Sequence, residues 1–178
     1  MTAALMQAGA EFDTVAWLNT HRPVTLAALR GKVVAVHAFQ MLCPGCVAHG
    51  LPQAQAIRRS FPAGEVEVLG LHTVFEHHDV MTERALQAFL HEYRVDFPVG
   101  IDRPAASGAV PRTMALYGMR GTPTLLLFDR QGRLRHHLFG RTDDLQVGAL
   151  IGQLVAEEGV RCDDDGCRIG VGSPLPVR

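Results

Sequence analysis

The stretch Val33-Val34-Ala35-Val36-His37-Ala38-Phe39-Gln40-Met41-Leu42-Cys43-Pro44-Gly45-Cys46 decides the fold. Its first seven residues are an apolar, valine-rich run of the kind buried on both faces at the centre of a sheet. The segment from Val47 to Phe61 reads as a helix. Cys43 therefore falls at a strand–helix junction, where unpaired backbone N–H groups and the helix dipole favour a thiolate. Cys46 follows one turn on, close enough to form a small ring with Cys43. Such a pair can take an incoming disulfide, hold it as a mixed disulfide and release it. The same sulfurs could be half of a zinc site, but zinc wants a second pair at compatible spacing and usually a loop context. The strand–helix setting favours exchange.

With 178 residues the chain is sized for one main domain, able to bury about 70% of its unfolded-chain surface. Hydrophobic content of 47% and charged content of 20% are ordinary for a soluble globular protein. A formal net charge of −1 without a Lys/Arg run provides no field for a polyanion, so nucleic acid is not expected as a partner. Residues 1–10 have no basic n-region and only a weak apolar stretch, and no window reaches the length of a membrane span. A cytoplasmic location without membrane contact is the expectation. Four cysteines in two close pairs do not resemble a disulfide scaffold; in a reducing compartment they point to catalysis, redox sensing or metal.

Outward from the decisive stretch, Thr14 to Leu18 reads as a short lead-in strand and Thr25 to Arg30 as a turn. Pro52 lies inside the expected helix and should kink it. Val66 to Val74 reads as a second interior strand. Thr82 to Tyr93 carries Ala85, Leu86, Phe89 and Leu90 at helical spacing, with Thr82 or Asp79 as cap. Phe97 to Ile101 is a further short strand, and residues 103–111 are a loop. Thr124 to Phe128 and Leu134 to Leu138 flank Asp129-Arg130-Gln131-Gly132, a hairpin turn. Asp143 to Glu158 closes the domain as an amphipathic helix. The order implies an α/β fold, a central mixed sheet with helices on both faces. Two regions result, 1–158 as the folded domain and 159–178 as a C-terminal tail with the second cysteine pair.

Three segments resemble the thioredoxin-fold superfamily, in particular its TlpA-like and redoxin (AhpC/TSA-related) branch. They are Leu26 to Cys46, the stretch Tyr117-Gly118-Met119-Arg120-Gly121-Thr122-Pro123-Thr124, and the hairpin at Asp129 to Gly132. The likeness spans roughly residues 13–158 and implies a thioredoxin-like sheet with an N-terminal strand extension. Glu76 to Arg103 resembles the central insertion of that branch. The resemblance implies a cis peptide before Pro123, facing the cysteines and leaving the backbone of Thr122 free for an extended substrate. Three positions depart from the family pattern: Leu42 stands where many relatives have Trp, Pro44-Gly45 reverses the usual Gly-Pro, and Pro52 falls one residue late.

The expected chemistry is thiol–disulfide exchange on a protein or small-thiol disulfide, with Cys43 as nucleophile and Cys46 as resolving thiol, and a thiol reductant to complete the cycle. No cofactor is expected beyond the redox-active disulfide Cys43–Cys46 itself. Thr122, Pro123, Pro44 and Gly45 are the expected substrate-binding residues. His37, six residues before Cys43 and on the Phe39 face of its strand, is the expected proton acceptor for Cys46, since imidazole titrates near the working pH; it could equally be a satisfied core histidine. His49, three residues past Cys46, shares its helical face and could tune the pair or simply face solvent.

A redoxin-type thiol peroxidase, which shares the fold, is the alternative; Gln40, a second possible tuning residue, stands where peroxiredoxins place a threonine to position peroxide, and the proline-threonine signature is missing too. A metal-binding module is another alternative, because His72, His77 and His78 lie near the end of one strand; copper-handling relatives, however, carry C-x-x-x-C, and no metal ligands are assigned. Cys162 and Cys167 could be a local disulfide, a relay dithiol exchanging with Cys43–Cys46, or a metal clip. The intervening Asp163, Asp164 and Asp165 would make these thiols less acidic than Cys43.

Overall fold

The computed structural model describes residues 9–157 and the two short strands at 161–163 and 166–168. Six strands form one mixed sheet: β1 (Thr14–Leu18), β2 (Val33–Phe39), β3 (Val66–His72), β4 (Val99–Asp102), β5 (Thr124–Phe128) and β6 (Leu134–Phe139), in the order β1-β4-β3-β2-β5-β6. Central β2 pairs parallel with β3 and antiparallel with β5, and all seven of its residues are buried. That is why its sequence lacks the polar alternation of a half-exposed strand. Val33, Ala35 and Phe39 face one core, and Val34, Val36 and Ala38 the other.

Four helices cover the sheet: α1 (Leu51–Ser60), α2 (Glu83–Glu92), α3 (Arg112–Leu116) and α4 (Asp144–Ala156). Apolar residues of α1, α2 and α4 fill the core that contains Phe39 and Cys46. The opposite core takes Met114 of α3 and Leu26 beside a short 3-10 turn. Side-chain oxygens start two of the helices, Thr82 accepting from the Ala85 N–H and Asp143 from those of Leu145 and Gln146. Strand β4, reached through α2, inserts between β3 and β1, so the central insertion and the N-terminal strand complete one edge together.

The helix after the cysteines differs from expectation. Cys46–Gly50 form a π-turn, closed by the Leu51 N–H donating to the Cys46 carbonyl, and α1 begins at Leu51. Pro52 is the second residue of α1, and since the helical backbone already runs through the π-turn and Gly50, it lies inside the post-cysteine helix as the sequence suggests. The π-turn just ahead of it absorbs one extra residue. The same residue explains why Pro52 falls one position late.

Helix α3 was not legible in the sequence. It is held by Asp102, whose buried carboxylate accepts the N–H groups of Thr113 at 2.8 Å and Met114 at 3.0 Å and the hydroxyl of Thr73 at 2.9 Å. In the tail, β7 (Arg161–Asp163) and β8 (Gly166–Arg168) pair antiparallel with Cys162 opposite Cys167. The side chains of that cysteine pair lie outside the described residues. Among the described residues no helix is long and apolar enough to cross a membrane.

Candidate active site

Where β2 ends, the chain turns directly into the helix. The Cys43 N–H donates to the Gln40 carbonyl at 3.2 Å, and the Cys43 carbonyl accepts from Cys46 at 3.0 Å and Val47 at 3.1 Å. Cys43 is half-buried and Cys46 fully buried, and both are free thiols. The Cys46 N–H points at the Cys43 sulfur across 3.4 Å. Burial pushes the Cys46 thiol up to about 12, and its hydrogen-bonded neighbour Cys43 adds to the rise. The two sulfurs are therefore unequal: one is reachable, the other is covered and resists deprotonation.

Facing them is the loop before β5. The Thr122–Pro123 peptide is cis, and the Cys43 thiol donates to the Thr122 carbonyl at 3.4 Å. The Thr124 hydroxyl donates to the Gly121 carbonyl at 2.7 Å and fixes the loop. Gly45 lies against the proline: a Cβ there would be 3.3 Å from Pro123 Cδ. Cys43, Gly45, Thr122 and Pro123 thus come together as one surface, while Pro44 is exposed beside them.

His37 is buried on the β2 face that looks toward Cys46 and α1, with its Nδ1 lacking a partner among the described residues. Burial lowers it from 6.5 to about 4. This corrects the expectation that the imidazole titrates near the working pH: it is neutral there, an acceptor whose charged form is costly. A cavity of about 180 Å³ beside it is lined by His37, His49, Gly50, Gln53, Pro123 and Arg141, among others. Exposed His49 also lines this cavity. Gln53 closes one wall by donating to the Thr142 carbonyl and to Asp144 at 2.8 and 2.7 Å.

Gln40 is buried on another side of the centre. Its Oε1 accepts the Phe75 N–H at 3.2 Å and its amide donates to Glu76 at 3.3 Å, tying the loop after β3 to the cysteine turn. His72 is buried against the Phe39 ring, 5.3 Å between centroids, whereas His77 and His78 are exposed. Among the described residues no three His, Cys, Asp or Glu side chains form a group that could hold a metal ion. Sequence reasoning missed Gly50, Gln53 and Arg141 as neighbours of the site. The late Pro52 was the one signal that pointed to an altered helix start.

These features define a thioredoxin-like fold of the thiol–disulfide oxidoreductase type. The AhpC/TSA family matches residues 8–137, and the chain belongs to that family. A crystal structure of a thioredoxin-like superfamily protein is 58% identical, with a TM-score of 0.83, covering 85% of this chain and 97% of that one. A thiol-disulfide isomerase from Corynebacterium glutamicum is 48% identical, with a TM-score of 0.82, covering 87% of this chain and 98% of that one. A thioredoxin-like protein solved in its oxidised form shares the fold at 20% identity and a TM-score of 0.71, covering 88% of this chain and 99% of that one. Among curated proteins, none matches the chain.

Proposed function

We propose that the protein reduces or rearranges disulfides, of proteins or small thiols, through Cys43 and Cys46. The Cys43 thiolate attacks one sulfur of the substrate disulfide; a Cys43–substrate bond forms, the substrate S–S bond breaks, and the departing sulfur takes a proton. Cys46 then loses its proton by way of the cavity beside neutral His37, whose imidazole accepts a hydrogen bond on that path, and attacks the Cys43 sulfur. The Cys43–Cys46 bond forms, the second substrate sulfur leaves as thiol, and two electrons have passed to the substrate. A thiol reductant returns the pair to its starting state.

Burial gives each group its part. Half-buried Cys43 can be reached by a protein substrate, whose extended backbone pairs with Thr122 beside Pro123. Cys46 is shielded from side reactions until the mixed disulfide is in place. Burial disfavours the charged form of His37, so the imidazole serves as a neutral hydrogen-bond acceptor for the leaving proton rather than its final holder, and the adjoining cavity is the route out.

The observation that carries this reading is the hydrogen bond from the reachable Cys43 thiol to the carbonyl before Pro123, with covered Cys46 beneath. Reduction of insulin disulfides with a dithiol reductant supplied tests it. The wild-type protein should accelerate the reaction and Cys43→Ser should not; equal rates for the two would reject the reading.

A further inference from the structure

Gly50 ends the π-turn that begins at Cys46. Its backbone, φ −62° and ψ −54°, is ordinary right-handed helix, a conformation any residue adopts and in which glycine is disfavoured. The reason for glycine is therefore not the backbone. A Cβ at this position would lie 2.8 Å from His37 Nε2 and closer still to Cε1. Real Cβ atoms do not approach other atoms so closely, and the obstacle is a stiff ring, not the end of a flexible chain.

His37 sits in the central strand between Gly70 of β3 and Leu125 of β5, and its ring borders the cavity shared with His49 and Arg141, so a methyl group at 50 would displace the ring from its place over the helix start. By contrast, a Cβ on either glycine of α4, Gly148 or Gly152, meets nothing within 4 Å. Gly50 is thus a helical glycine whose missing side chain is filled by one particular neighbour.

We propose that Gly50 is a positioning residue for His37, and that the π-turn serves to bring this side-chain-free position over the imidazole. The extra residue of the π-turn lies between Cys46 and α1, so it sets which residue covers the ring without moving Cys46 from the helix start. Other ionisable groups on the same cavity are His49 from the π-turn, Arg141 and Asp143 from the loop before α4, and Asp144 from its first turn. The three atoms nearest to a Cβ at 50 all belong to His37. The inference rests on the reading of His37 as hydrogen-bond acceptor for the proton leaving Cys46, and it makes the second step of exchange, not the first, sensitive to residue 50.

The test follows the two steps separately in Gly50→Ala, His37→Ala, the double variant and Gly148→Ala. Attack is read from the rate of Cys43 alkylation, and resolution from the decay of a preformed mixed disulfide on Cys43 across pH. Gly50→Ala should slow resolution by about tenfold or more at neutral pH, within the range for loss of a positioned proton acceptor, and leave alkylation within about twofold. Its pH profile should move to that of His37→Ala. The double variant should be no slower than His37→Ala, because the clash is gone, and Gly148→Ala should match wild type.

Wild-type resolution in Gly50→Ala, together with slow resolution in His37→Ala, would overturn the inference alone. A further loss in the double variant equal to that of Gly50→Ala would do the same. Unchanged resolution in His37→Ala would overturn the acceptor reading and the inference with it. If Gly50→Ala does not fold, recovery of folding in the double variant supports the steric pairing, and failure of both rejects it.

Discussion

The Cys43 thiol donates to the Thr122 carbonyl across 3.4 Å, joining two segments 79 residues apart in sequence. One is the turn that follows the central strand; the other is the loop before β5. Because β2 and β5 are hydrogen-bonded neighbours, the sheet itself holds Cys43 and the Thr122–Pro123 loop in register. In the proposed exchange, binding and chemistry are thus positioned by rigid elements.

The inequality of the two sulfurs gives a direct chemical prediction. At pH 8 iodoacetamide should modify Cys43 and leave Cys46 untouched in the folded protein, because Cys46 is covered and held up to about 12. Peptide mapping after a timed quench checks this. Equal labelling of the two positions would contradict the burial argument.

Stability should fall on mild acidification. Burial lowers both His37 and His72 from 6.5 to about 4. As pH drops below 6.5 the unfolded chain takes up these protons first, so their contribution is full above 6.5 and is lost on the way to 4. The loss amounts to about 2 kcal/mol for each histidine by pH 5. Urea midpoints measured between pH 7 and 5 should show the fall, and His72→Phe should remove about half of it. A flat midpoint over that range would count against buried neutral imidazoles.

Gly45 lies where a Cβ would be 3.3 Å from Pro123 Cδ. Gly45→Val would fill the groove between the cysteine turn and the Thr122–Pro123 loop. Exchange with a protein disulfide should drop by about tenfold or more through misplacement of the substrate, while alkylation of Cys43 by a small reagent changes little. Parallel kinetics with insulin and iodoacetamide separate the two; a matched loss in both would show that the thiol itself had been perturbed.

Peroxide should be a poor substrate. Gln40, three residues before Cys43, has its carbonyl oxygen bonded to the Phe75 N–H and its amide to Glu76. That side chain holds a loop and offers no hydroxyl to a peroxide. Hydrogen peroxide should be consumed no faster than by a free thiol at the same pH. Consumption well above that rate, lost in Cys43→Ser, would favour peroxidase chemistry.

The central strand and the Cys43–Cys46 turn were legible because burial on both faces writes an unbroken apolar run, and the loop before β5 because its Gly-Thr-Pro-Thr resembles a known docking segment. The bounds of β1, Thr14–Leu18, and of β2, Val33–Phe39, match the sequence reading at both ends. Helix α3 was not legible, since five residues set no periodicity and its first turn is held by Asp102, ten residues earlier. The π-turn left only a one-residue delay of Pro52 as its trace in the sequence. Gly50 was silent for a different reason: its partner His37 is thirteen residues away, and the contact exists only in the folded helix start. His37 itself was visible from strand alternation, but its degree of burial, which sets its charge, is a property of the whole sheet.

The central claim is that Cys43 attacks and Cys46 resolves, and trapping tests it most directly. Cys46→Ser, mixed with oxidised insulin and analysed without reductant, should accumulate a covalent adduct mapped to Cys43, while Cys43→Ser should give none. An adduct carried by Cys46 in Cys43→Ser, or no adduct in either variant, would contradict the assignment.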